Sequence, residues 1–177
     1  LMGRVDARWE SHVSTEALSN LLREERRFPP PDDFAAQANA TAALYEEAKA
    51  DRLAFWANQA RELLTWETDF DQVLDWSDPP FAKWFTGGAL NVAYNCVDRH
   101  VEAGHGDQVA IYWEGEPGDS RTITYAELRR DVCKAANAFH ELGIRKGDRV
   151  AIYMPMIPET AIAMLACARI GAPHSVV

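Results

Sequence analysis

The chain has 177 residues, 47% hydrophobic and 25% charged, with a formal net charge of -9. That profile belongs to a globular chain with its own core and excludes a disordered one; the acidic balance argues against a nucleic-acid or anionic-membrane partner. No apolar run is long enough to span a bilayer, no basic-then-apolar leader opens the chain, and Cys96, Cys133 and Cys167 are widely spaced with no CxxC pair; a cytoplasmic protein without a disulfide framework or a zinc site is expected.

In chain order, Ser14 is placed to cap a helix that starts at Thr15 and Glu16, with Leu18, Leu21 and Leu22 on one face. The charged run over 23–27 is a solvated end, and Pro29, Pro30 and Pro31 stop the helix because proline lacks the amide donor. Thr41 is placed to cap a short helix. A longer helix is expected over 52–64, with Leu53, Trp56, Ala60, Leu63 and Leu64 at helical spacing. Residues 65–91 hold Trp66, Trp76 and Trp84, with Pro79-Pro80 and Gly87-Gly88 as punctuation. This stretch reads as irregular chain wrapped over the fold, its rings serving as packing pegs rather than as a ligand platform.

From Asn91 onward the pattern sharpens. A helix is expected over 93–103, closed by Gly104, then a hairpin of strands over 108–113 and 121–124. Thr124 and Glu127 have capping-box spacing, and Ile123 with Leu128 makes a hydrophobic staple. The helix they open buries Leu128, Val132, Ala135, Phe139 and Leu142 and ends at Gly143. Lys146, Gly147 and Asp148 turn into a strand over 149–154 that is apolar on both faces, as a parallel strand between helix layers must be. Pro158 opens a second, nearly all-apolar and hence deeply buried helix, closed by Gly171 and Pro173 near residue 170. Ser175, Val176 and Val177 begin another strand. The chain thus reads as α/β, a helical and irregular extension over 1–90 followed by the first βαβ elements over 91–177. A strand without a successor leads to the expectation of a truncated domain.

No assembled site emerges from the residues. Gly87-Gly88 and Gly104-His105-Gly106 lack the strand-to-helix setting and the Lys-Ser/Thr pair of a phosphate loop, and no Gly-x-Ser-x-Gly elbow occurs. His100-Val101-Glu102 matches the His-x-Glu of zinc deaminases without the Cys-x-x-Cys partner. His100 and His105 are read as a helix-end pair, His174 as a satisfied residue at a strand start, and Asp98 with Arg99 as a local ion pair. Ligands of open α/β sheets bind beyond the C-terminal ends of the strands, here at Met154-Pro155-Met156 and after Val177.

Three runs, Thr122-Ile-Thr-Tyr-Ala-Glu-Leu128, Leu142-Gly-Ile-Arg-Lys-Gly-Asp-Arg-Val-Ala-Ile-Tyr-Met-Pro155 and Met164-Leu-Ala-Cys-Ala-Arg-Ile-Gly-Ala172, closely resemble the opening of the adenylate-forming acyl-activating enzymes. Within that superfamily, Lys83-Trp-Phe85, Leu90-Asn-Val-Ala-Tyr-Asn-Cys-Val-Asp-Arg-His100 and Met154-Pro-Met-Ile-Pro-Glu159 resemble the AMP-forming acetyl-coenzyme A synthetase family. The resemblance covers residues 35–177. It implies a ligase that converts acetate and ATP to acetyl-adenylate and pyrophosphate with magnesium, then passes the acetyl group to coenzyme A and releases AMP. It also implies that residues 1–90 wrap a large adenylate-forming domain of which 91–177 are only the start. The family's phosphate loop, ribose-binding aspartate, acetate pocket and late lysine find no match here, so no catalytic, cofactor-binding or metal residue is carried onto this chain. The chain alone is expected to be inactive framework that binds no cofactor and self-associates. A propionyl- or other short-chain synthetase, and a stand-alone interaction module, are the alternatives.

Overall fold

The computed structural model describes residues 26–177. The helix expected after Ser14 lies outside the described residues. The chain divides into two units, Leu1–Leu44 and Tyr45–Val177. In the first, residues 26–31 have no regular structure, consistent with the three prolines, and helix α1 (Asp32–Ala36) carries Asp32 and Asp33 in its first turn, where carboxylates complement the helix dipole. Helix α2 (Ala42–Ala50) starts directly after Thr41.

Helix α3 (Arg52–Leu63) is capped by Asp51, whose carboxylate accepts from the N–H groups of Leu53 and Ala54 at 3.1 and 3.0 Å. Its buried face matches the expected one only at Ala60. Ala57 and Ala60 are buried, whereas Leu53, Trp56 and Leu63 are exposed. The small residues let aromatic rings approach: Trp66 donates from Nε1 to the Ala60 carbonyl at 2.9 Å and meets Phe70 edge-on. Phe70 and Phe85 complete this aromatic cluster.

The stretch expected to be irregular contains an antiparallel hairpin, β1 (Gln72–Asp78) and β2 (Phe81–Thr86), paired through Leu74 and Trp84. Pro79-Pro80, read as a breaker, forms its turn and carries a cis peptide bond. Trp66 acts as a peg, but Trp76 and Trp84 remain largely exposed. Gly88 is required for close approach, because a Cβ there would lie 2.6 Å from the Trp66 ring.

The helix expected over 93–103 is present but over-wide, with π-helical turns at Tyr94–Asp98 and Val101–His105; Gly104 breaks it at φ 87°. Strands β3 (Val109–Glu114) and β4 (Ser120–Thr124) form the expected hairpin. Helix α4 (Tyr125–Glu141) begins with the complete capping box: Thr124 Oγ1 accepts from the Glu127 N–H at 3.3 Å, and Glu127 accepts from the Thr124 N–H at 2.9 Å. Leu128, Val132 and Ala136 are buried on α4. Leu142, expected in that stripe, is the C-terminal cap residue and is exposed. Gly143 takes the left-handed conformation at φ 92°.

Strand β5 (Val150–Ile152), helix α5 (Pro158–Ile170) and strand β6 (His174–Val176) form a parallel βαβ unit. Helix α5 packs on α4 around Val97, Ile162 and Ala166, while Ile152, Cys167 and Ala172 seal strand against helix. The fold class is α/β. Two burial expectations fail here. Ala151 is exposed and Tyr153 is 89% exposed, so β5 is covered on one face only, and α5 buries Pro158, Ile162, Ala166 and Cys167 but leaves Met164 open. Among the described residues a single helix layer lies on the strand pair.

Candidate functional site

The residue run that carries the family resemblance most specifically, 95–100, turns Asn95, Val97 and Asp98 inward and leaves Cys96 exposed. Asn95 is buried; its Oδ1 accepts the Thr65 N–H at 2.8 Å, and its Nδ2 donates to the carbonyls of Thr65 and Asn91 at 3.0 and 3.1 Å. Arg99 donates to the Leu63 carbonyl at 2.7 Å, closing the end of α3. Asp98, also buried, does not pair with its neighbour Arg99 as expected: it accepts from Arg169 on α5, 71 positions away. Proximity in sequence suggested the wrong partner, because a helix turns Asp98 and Arg99 to different faces. Asn91 Nδ2 adds a second tie, to the Arg169 carbonyl at 3.1 Å. Val97, fully buried, packs into the α4–α5 core.

Beside this network lies a cavity of about 510 Å³ lined by Thr65, Trp66, Glu67, Asn91, Tyr94 and Arg169. The Tyr94 hydroxyl donates to Glu102 at 2.8 Å, and that bond holds the phenol above its ordinary pKa. The Nε of Arg169 is buried without a partner among the described residues. What the arrangement does chemically is hold: Asp98 is paired with Arg169, and the Glu102 carboxylate with the Tyr94 hydroxyl.

The other sequence candidates disperse. His100 packs its ring 5.0 Å from that of Tyr125, and Glu102 serves Tyr94, so the His-x-Glu pair does not converge. His105 Nδ1 lies 3.1 Å from Gln108 Nε2, and His174 opens β6 half-buried. Among the described residues no group of three or more His, Cys, Asp or Glu could hold a metal ion. None of these residues has a helix long and apolar enough to cross a membrane. Burial raises the Cys167 thiol above its ordinary pKa, which keeps it from reacting as a thiolate.

One surface lies where α/β sheets receive ligands. After β5 the chain runs through Tyr153, Met154, Pro155, Met156 and Ile157, and Tyr153 and Met156 are 89% and 92% exposed. Trp113 on β3 donates from Nε1 to the Met156 carbonyl at 2.7 Å, and the Thr160 hydroxyl donates to the Pro155 carbonyl at 2.7 Å. Arg121 on β4 pairs with Glu159 at 2.6 Å and holds that carboxyl below its ordinary pKa. Sequence reasoning marked the loop but missed these cross-ties, which have no periodic signal.

The family model described as acetyl-coenzyme A synthetase N-terminus matches residues 41–96, and the one described as AMP-binding enzyme matches 97–177. An acetyl-coenzyme A synthetase of Streptomyces avermitilis is 73% identical over 165 residues, covering 93% of this chain and 25% of the relative. The Mycolicibacterium smegmatis enzyme of the same name is 72% identical over 164 residues, 91% of this chain and 17% of its own. That of Rubrobacter xylanophilus is 57% identical over 154 residues, with 86% and 24% covered. The chain spans about a quarter of the length of the first of these relatives. With both family models matched in tandem over 41–177, and with relatives of that name 73% identical across 93% of its length, the chain belongs to the acetyl-coenzyme A synthetase family.

Proposed function

We propose that this chain is framework for an enzyme that activates acetate with ATP to acetyl-adenylate and pyrophosphate, then transfers the acetyl group to coenzyme A and releases AMP. In this reading residues 1–90 form an extension and residues 91–177 open the adenylate-forming large domain, in the cytoplasm. The observation that carries it is the engagement of the signature run's polar side chains: Asn95, Asp98 and Arg99 are spent on Thr65, Arg169 and Leu63. Adenylation depends on positioned groups that stabilise developing charge on phosphate, and here Arg99, Arg121 and Arg169 are engaged by carboxylates and carbonyls. Magnesium enters through the family's use of ATP; Asp98, Glu159 and Glu102 are taken by Arg169, Arg121 and Tyr94, and no cluster of three or more possible metal ligands occurs among the described residues, so no step is assigned to the ion. The chain by itself binds no nucleotide and has no catalytic residue.

The test is twofold. Acetate-dependent exchange of labelled pyrophosphate into ATP is expected to stay at the blank for the 177-residue chain and to be present when these residues replace the matching segment of the Streptomyces coelicolor relative, which is 73% identical. A replaced enzyme that folds and melts normally yet shows no exchange overturns the proposal. The chain itself is expected to associate with its own copies, because among the described residues β5 and β6 pair only with each other, and Val176, Val177 and Met164 are exposed. A clean monomer by light scattering coupled to gel filtration, with no binding of a hydrophobic dye, refutes that part.

A further inference from the structure

We draw no further inference here: the strongest candidate, the cavity of about 510 Å³ that Trp66, Tyr94 and Arg169 line where the chain between α3 and β1 meets the π-helical turn, belongs to the clamp already described, and nothing among the described residues shows what fills or covers it.

Discussion

Two antiparallel hairpins in this chain are of similar size and are held by opposite means. The second, β3–β4, is specified locally: Ala110 and Ile111 on β3 and Ile123 on β4 pack against the α4–α5 core, and its last residue, Thr124, opens the next helix. The first, β1–β2, buries little of itself, and β1 shows no residue in the buried class. It is held from outside, by Phe70 and Trp66 against α3 and by Asn95 gripping Thr65 from 30 positions away. A hairpin anchored by remote partners leaves no trace in its own alternation pattern.

The sharpest way to break that contrast is Asp98→Ala. It strips the charge partner from a largely buried Arg169 and loosens both regions at once; a loss of about 3 kcal/mol is expected, as for a buried pair deprived of one member. Chemical denaturation measures it, and the double variant Asp98→Leu/Arg169→Met is expected to recover most of the loss. Asn95→Ala is more selective. It removes the side chain that serves Thr65 and Asn91 and costs about 2 kcal/mol, given several buried hydrogen bonds left open. Hydrogen exchange is expected to rise in β1–β2 and stay low in β3–β4; equal rises in both hairpins contradict the contrast. Thr124→Ala acts on the other side, at about 1 kcal/mol for the lost N-cap, read as a lower denaturation midpoint with β1–β2 protection unchanged.

The smallest effect is acid sensitivity. Glu127 is held below its ordinary 4.5, first by the backbone hydrogen bond from Thr124 and then by the Thr124 hydroxyl. A depressed native pKa means that the contribution is fully present above 4.5 and fades as pH falls through the lower native value. Glu159, lowered chiefly by its hydrogen bond from Arg121, acts with the same sign. The midpoint is therefore expected to fall as pH drops from about 5 to about 3, and Thr124→Ala to fall less steeply because Glu127 has already lost its hydroxyl partner. A midpoint that rises in that range contradicts the sign.

Signals confined to one turn of chain were legible in the sequence. Thr124 with Glu127, Pro158 in the first helical turn, and the left-handed Gly143 and Gly171 stand where their chemistry demands. The faces of buried helices were less legible: α3 packs Ala57 and the expected Ala60 against Trp66 and Phe70, while Leu53 and Trp56, expected on that face, stay exposed. Least legible were pairings at long range. Asp98 beside Arg99 looks complete, and only the fold reveals that Arg169 takes the carboxylate. The two-faced burial expected of β5 needs a second layer that the described residues do not contain.

The two family descriptions meet between Cys96 and Val97, inside the π-helical turn Tyr94–Asp98. That seam is not a joint in the physical object. Asn95, on one side of it, fastens Thr65; Asp98, on the other, fastens Arg169; and Arg99 reaches back across it to Leu63. A recombination event at this point leaves Asn95 with Thr65 and Asn91 in one parent's part and Asp98 with Arg169 in the other's. The main ties that cross it, Arg99 to Leu63 and Asn91 to Arg169, end on backbone carbonyls that any residue supplies, so the side-chain pairs of the clamp survive a cut at the seam.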